Sequence, residues 1–353
     1  METEHKVYFK NSTDMGEIES NSIDLMITSP PYPMIEMWDK LFSSLNKEIK
    51  QMLEEEDSKE AFNLMHQELK KVWREVARVL KPGGIACINI GDATRKIDGC
   101  FQLFPNHIQV SNYFHENNFV ELPCILWRKP TNSPNKFLGS GMIPPNAYVS
   151  LEHEYILIYR KGVNKRKFTP KSEKRYNSAF FWEERNKWFS DIWQDIKGTS
   201  QIINKTNNNQ IRERSGAYPI ELAYRLINMF SLYEDLILDP FWGTGTTSLA
   251  SMISARNSIG YEINPEFMNI FKKNLKNIIQ LNDEFNKERL NQHVKNMEKY
   301  KNLNKEIKYS SFYYKFPVIT KQERMILLYK IIKYKELKSK FILNHKKYNF
   351  NIK

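Results

Sequence analysis

Apolar residues recur along this chain in two rhythms. Short runs with little polar alternation, IDLMIT at 23–28, GIACINIG at 84–91, FVELPCILWRK at 119–129, EYILIYRK at 154–161, DLILDP at 235–240 and NSIGYEIN at 257–264, predict strands. Several are apolar on both sides, the pattern of parallel strands covered on both faces. Between them, SKEAFNLMHQELKKVWREVARVLKPGG repeats at helical spacing from a cap at Ser58 to a stop at Pro82-Gly83-Gly84. YPIELAYRLINMFSLYED (218–235) is a second amphipathic helix, with Pro219 allowed in its first turn. Strands alternating with helices predict an α/β sheet with helices on both faces.

Two stretches break the rhythm. Residues 162–214 are basic and aromatic without a clear period, with Phe180, Phe181, Trp182, Trp188, Phe189 and Trp193 among them, and look like an insertion. From about residue 280 the chain turns Lys- and Asn-rich, lacks glycine and keeps only Pro317, which predicts an appended helical region. The formal charge of +12 sits largely there: residues 285–353 hold 18 Lys+Arg against 5 Asp+Glu. Residues 161–214 are also basic, 13 against 6, so both segments suit a polyanion such as nucleic acid. The three cysteines, Cys87, Cys100 and Cys124, have no metal-type spacing and imply reduced thiols. No apolar window of leader or membrane-span length is evident, so the expected location is cytoplasmic and no membrane partner is expected.

LILDPFWGTGTTSLA (236–250) is a strand running into a glycine turn and a helix starting near Thr246, a geometry that presents backbone N–H groups to a ligand. Thr246 stands where a triphosphate-binding loop needs Lys, and Ser248 where a dinucleotide fingerprint needs a third glycine. Glu262 follows Gly243 by nineteen residues, the spacing of an acid that accepts hydrogen bonds from ribose. The other unusual stretch is MITSPPYPMI (26–35). Proline fixes φ and has no N–H, so Pro30-Pro31 ends a central strand and freezes the backbone beside Ser29 and Tyr32.

TSPPY at 28–32 and DPFWGTGTT at 239–247 resemble motifs IV and I of the amino-group DNA methyltransferases that use S-adenosyl-L-methionine. Their order, catalytic motif first, is similar to that of the circularly permuted β class. VLKPGGIACINIGDA (79–93), ILWRKPTN (125–132), LEHEYILIYRK (151–161) and SGAYP (215–219) add to a resemblance spanning roughly residues 7–275. It implies a doubly wound, mostly parallel seven-stranded Rossmann-like sheet. Residues 1–161 would form the catalytic half, 162–214 the target recognition region, 215–280 the cofactor half and 281–353 a basic helical extension.

The resemblance also implies roles. The lone pair of an exocyclic amino group is delocalised into its ring; the Ser29 side chain and the Pro30 carbonyl would accept the amino hydrogens and localise it, with Pro31 keeping the backbone rigid. Tyr32 would stack on a flipped base. Asp239, Pro240, Phe241, Gly243, Gly245, Thr246 and Thr247 would surround the methionine and adenosine of the cofactor, with Glu262 on the ribose. Ser12 or Asp14 would stand near the adenine, where many relatives carry Gly-Asp. Tyr218 and Pro219 would close over the methionine moiety or simply start a helix. No metal is implied.

Serine before Pro-Pro is the commoner companion of cytosine in this family, so the expected reaction is sequence-specific N4-cytosine methylation of double-stranded DNA, with a cognate restriction endonuclease as functional partner and a monomer or dimer as assembly. N6-adenine methylation, a catalytically silent DNA-binding specificity subunit, and a methyltransferase acting on RNA or protein are the alternatives. Pro123-Cys124 resembles the nucleophile of C5-cytosine enzymes, but its apolar strand favours a core cysteine, and His153 is read as structural. The tryptophans of the insertion are expected to form its core, and NKFLGSGMIPPNAY (135–148) to be a loop able to close over the base.

Overall fold

The computed structural model describes residues 1–129, 138–196, 218–303 and 306–350. Ten strands form one sheet: β1 (Glu2–Tyr8), β2 (Ile23–Thr28), β3 (Leu80–Ile90), β4 (Phe119–Arg128), β5 (His153–Lys161), β6 (Ile192–Trp193), β7 (Leu236–Asp239), β8 (Asn257–Tyr261), β9 (Tyr329–Leu337) and β10 (Lys340–Lys347), in the order β6-β4-β5-β3-β2-β7-β8-β1-β10-β9. The five strands β3-β2-β7-β8-β1 run parallel, and β5 lies antiparallel between β3 and β4. The expected seven strands are therefore the middle of a wider sheet, extended by β6 at one edge and by β10 and β9 at the other.

All six residues of β2 are buried because both its faces are covered. Met26 packs into a core roofed by α1 (Ser58–Val79) and α2 (Asn106–Glu116). Leu25 and Ile27 pack into the opposite core, shared with α4 (Ile220–Phe230), α5 (Thr246–Ile253) and α6 (Phe267–Leu275), while α3 (Trp182–Trp188) contributes Trp188 there. Helix α1 is capped by Asp57, whose carboxylate accepts from the Glu60 N–H at 3.0 Å, one residue before the expected Ser58. It ends at Val79; Pro82 to Gly84 lie inside β3, where the pairing with β2 jumps from Ile23–Leu80 to Leu25–Ile85 and absorbs the extra residues as a bulge.

The C-terminal extension, expected to be helical, is so among the described residues only over α7 (Ile278–Asn302) and a short 3-10 turn at Lys321–Met325. Residues 329–347 form the antiparallel hairpin β9-β10, with β10 paired to β1. The physical reason is period-two burial: Phe341, Leu343 and His345 face inward while their neighbours stay half exposed, an alternation hidden by the Lys- and Asn-rich composition. Lysines on outer strand β9 guard the sheet edge against further pairing. A third core joins Phe181 of the insertion to Leu290, Tyr314, Phe316, Val318, Ile326, Leu328 and Tyr348. Trp188 and Trp193 are core residues as expected, whereas Trp182 is 38% exposed. Residues 197–214 of the insertion, 130–132 and 215–217 of the supporting motifs, and 135–137 of the glycine-containing loop lie outside the described residues.

Candidate active site

Because β2, β7, β8 and β1 are parallel, the segments that leave their C-terminal ends share one edge of the sheet. Ser29 to Tyr32 follow β2, Pro240 to Gly245 follow β7, Glu262 follows β8, and Phe9 to Asp14 follow β1. Pro30 and Pro31 are buried and Ser29 is half-buried. Ser29 Oγ and the Tyr32 hydroxyl are 3.0 Å apart. The same hydroxyl lies 3.0 Å from Glu154 Oε2 and receives Asn89 Nδ2–H at 2.9 Å. Asn89 Nδ2 also donates to Glu154 Oε2 at 2.6 Å, and Lys129 Nζ to Glu154 Oε1 at 2.8 Å. One set of donors satisfies all of these contacts: Ser29 donates to Tyr32, and Tyr32 donates to Glu154. Burial, reinforced by the Glu154 carboxylate, pushes the Tyr32 hydroxyl well above its ordinary range, so it remains a protonated donor. Gly91 presses on the ring; a Cβ there would meet Tyr32 Cε2 at 3.1 Å.

The cofactor-type loop is tied to this motif. Asp239 is buried, and its Oδ1 accepts from Thr28 Oγ1 at 2.6 Å and from the Phe241 N–H at 3.1 Å. Its Oδ2 accepts from Thr247 Oγ1 and, at 3.5 Å, from the Tyr218 hydroxyl, which also contacts Thr247. Burial pushes the Asp239 carboxyl upward and these hydrogen bonds oppose it. One carboxylate therefore joins the residue preceding Ser29 to the glycine turn and to the residue preceding Pro219. Gly243 and Gly245 have φ of 53° and 80°, where β-carbon sterics penalise other residues. At Gly245 a Cβ would strike Phe271 at 2.3 Å, whereas at Gly243 it would meet nothing closer than Phe241 O at 3.9 Å. Glu262 accepts from Gly243 N–H and Asn264 N–H, each at 2.8 Å, which fixes its carboxylate beside the open side of the turn. Burial raises its carboxyl against those two bonds.

The cradle fits an adenosyl ligand. Phe9 and Ile263, 37% and 50% exposed, follow the ends of the paired strands β1 and β8, where the Glu262 N–H donates to the Tyr8 carbonyl at 3.1 Å. Phe241 is half-buried against Trp73, their rings 5.6 Å apart. Ser12 is buried in the segment that follows β1, while Asp14 is exposed and engaged with Lys10 and the Gly16 N–H. Pro219 caps the N-terminus of α4, and Thr246 opens α5. Cys124 is half-buried with its thiol raised by burial, unlike an activated nucleophile. His153 packs edge-on against Tyr155 at 4.9 Å.

Sequence reasoning passed over Thr28, Asn89, Lys129, Glu154 and Trp242. Thr28 and Glu154 lie within the quoted motifs TSPPY and LEHEY, and a polar residue there was the available signal. Trp242, between Phe241 and Gly243, fills the space beneath the turn and lies against Gly260, where a Cβ would clash at 2.2 Å. Its indole N–H donates to Ser248 Oγ at 2.8 Å, and Ser258 Oγ donates to the same oxygen at 3.1 Å. From Ser258 a buried chain continues to His5 Nδ1 (2.8 Å), from His5 Nε2 to Thr3 Oγ1 (3.1 Å), and from Thr3 to His345 Nε2 (2.9 Å). Donation from His345 to Thr3 to His5 to Ser258 uses each proton once and leaves both imidazoles neutral. The hairpin strand β10 is thereby connected to the floor of the turn.

A family model described as DNA methylase matches residues 23–273. The Type II methyltransferase M.MthZI of Methanothermobacter thermautotrophicus is 51% identical over 342 residues, covering 96% of this chain and 94% of the relative. M.MjaI of Methanocaldococcus jannaschii, also a Type II methyltransferase, is 52% identical over 284 residues, 77% of this chain and 91% of its own. Among solved structures, the Thermus thermophilus protein TTHA0409 complexed with S-adenosyl-L-methionine superposes with a TM-score of 0.60 at 29% identity, over 78% of this chain and 94% of that one. The chain belongs to the N6/N4 DNA methylase family. It is a DNA methyltransferase with a mostly parallel α/β methyltransferase sheet and S-adenosyl-L-methionine as cofactor. Among the described residues no helix is long and apolar enough to cross a membrane.

Proposed function

We propose that this enzyme methylates N4 of a flipped cytosine at a specific site in double-stranded DNA, as the modification partner of a restriction endonuclease. The observation that carries the reading is Ser29 before Pro30-Pro31, with its hydroxyl tethered to Tyr32 at 3.0 Å in a rigid, buried turn. When bound, S-adenosyl-L-methionine supplies an electrophilic methyl group on a sulfonium sulfur. Glu262 would hold the ribose, and Phe241, Gly243, Gly245 and Thr246 would line the remainder of that ligand, with Asp239, Tyr218 and Thr247 keeping the turn in shape. Ser12 and Pro219 would border the two ends of the cradle.

Ser29 Oγ and the Pro30 carbonyl would take the two amino hydrogens of the target base, concentrating the nitrogen lone pair for direct attack. The buried edge of Tyr32 would stay in its hydrogen-bond network while its ring stacks on the base. The described part of the insertion, 162–196, would contribute to reading sequence. The Type II designation of M.MthZI and M.MjaI supports the restriction-modification setting. Digesting enzyme-treated DNA to nucleosides and separating them with mass detection tests the proposal. N4-methylcytosine is the expected product, and N6-methyladenine as the sole product would replace the base assignment.

A further inference from the structure

The insertion does not close its own core. Phe181, fully buried, is enclosed by residues more than a hundred positions later, Leu290 of α7 and Phe316 among them. His293 of α7 stacks on Phe181 with ring centroids 4.1 Å apart. Its Nδ1 lies 2.9 Å from Glu183 Oε1 and its Nε2 2.9 Å from the Pro317 carbonyl. Both partners are acceptors, so both ring nitrogens must donate and the imidazole is a cation. The donor set also argues against a metal at Glu183, His293 and Glu323, because His293 has no free lone pair and the Glu323 oxygens accept from the Trp182 and Thr320 N–H groups. One helical turn earlier, Arg289 donates to both oxygens of buried Glu184 and lies 5.4 Å from the Trp188 ring. Asn296 donates to Glu183 at 3.1 Å, and the Leu327 N–H to the Asn177 carbonyl at 3.2 Å. The other end of the insertion is sewn to the catalytic half, with β6 parallel to β4 and Trp127 Nε1 donating to the Ile196 carbonyl at 3.1 Å.

We propose that the sequence-reading unit is composite: the insertion segment around Phe181 and the C-terminal residues Leu290, Tyr314, Phe316, Val318, Ile326 and Leu328 close one core, and the C-terminal region helps decide which DNA sequence is accepted. This rests on the reading of the insertion as the recognition region. It replaces the simpler reading of the charge, that the basic C-terminus adds phosphate affinity without specificity, so that its loss would lower DNA affinity and the salt slope and leave site choice unchanged. Here the C-terminal side chains fix the shape of the segment that meets the bases.

The test uses the full chain and His293→Ala, which removes the stacked ring and the bond to Glu183, with His293→Gln retaining hydrogen bonding. Amide hydrogen exchange across Trp182–Trp188, cofactor affinity by calorimetry, and methylation rates on cognate and single-mismatch duplexes are measured together. His293→Ala should speed exchange at least tenfold, leave cofactor affinity within twofold, and reduce cognate-over-mismatch discrimination at least tenfold. His293→Gln should restore part of that discrimination. Unchanged exchange, or faster exchange with unchanged discrimination, would overturn the composite unit. A parallel variant, Lys165→Ala with Lys167→Ala, Lys171→Ala and Trp182→Ala, alters only exposed insertion side chains. If it leaves both affinity and discrimination intact, the insertion is not the reader and the underlying reading fails; if it alone shifts discrimination, the composite inference fails by itself.

Discussion

Replacing Tyr32 by Phe should impair turnover strongly, even though the ring face survives. A stacking role alone would predict tolerance, but the hydroxyl is the hub of three contacts, to Glu154 at 3.0 Å, Asn89 at 2.9 Å and Ser29 at 3.0 Å. Glu154 keeps Asn89 at 2.6 Å and Lys129 at 2.8 Å in the variant, so its charge is not orphaned. The loss is then one hydrogen bond to a charged group, about 1.5–3 kcal/mol, together with the tether that orients Ser29. If that energy is expressed in the transition state, kcat should fall roughly 10- to 150-fold, since about 1.4 kcal/mol is tenfold. Single-turnover transfer of labelled methyl from preformed ternary complex measures it, with cofactor affinity by calorimetry expected to stay within twofold. Glu154→Gln should give a similar but smaller defect, because an amide oxygen still accepts from Tyr32. A Tyr32→Phe enzyme with the parental single-turnover rate, beside a crippled Ser29→Ala enzyme, would refute the tether.

Three further outcomes follow from the same geometry. Gly91→Ala should move the Tyr32 ring by a few tenths of an ångström and slow transfer several-fold with unchanged cofactor affinity; single-turnover rates check this. Glu262→Ala should weaken cofactor binding at least tenfold by calorimetry, since it would remove the proposed ribose contacts together with the carboxylate's hold on the Gly243 and Asn264 N–H groups. Burial, helped at His5 by neighbouring His345 and at His345 by the N-terminal ammonium, lowers His5 to about 3 and His345 to about 4 from an ordinary 6.5, so the unfolded chain binds protons that the folded chain refuses. Stability is then complete above pH 6.5 and declines as pH falls below it, by about 2 kcal/mol per histidine at pH 5. Denaturant melts of parent and His345→Asn at pH 7 and pH 5 should show the variant losing less.

The parts of the site carried by contiguous residues were legible in the chain itself. Ser29 to Tyr32 at a strand end, the Gly243–Gly245 turn and Glu262 all sit where the apolar runs and glycines put them. The network behind Tyr32 was not legible, because it depends on antiparallel register: Asn89 opposite Ile156 and Ile90 opposite Tyr155 bring Glu154 beside residues 65 positions away. Nothing local in EHEY announces that pairing. The same holds for Phe181, an aromatic in a basic segment whose enclosing residues come from α7 and beyond. The β9-β10 hairpin was missed for a different reason, since the Lys- and Asn-rich content obscured an alternation that burial makes plain.

The pairing of β10 with β1 has a consequence for how the chain can be rewired. The Met1 N–H₃⁺ group donates to the His345 carbonyl at 3.3 Å, and the His345 N–H returns a bond to the Met1 carbonyl at 2.8 Å. Strand β1 and the last described strand are thus neighbours on one sheet, and a linker returning from beyond β10 to Met1 would close a ring. Reopened at the exposed Pro170-Lys171 step, that ring would carry the glycine turn ahead of the Ser-Pro-Pro-Tyr motif, with every strand neighbour retained. Motif order in such an enzyme is a choice of where to cut a loop, and the fold itself is indifferent to it.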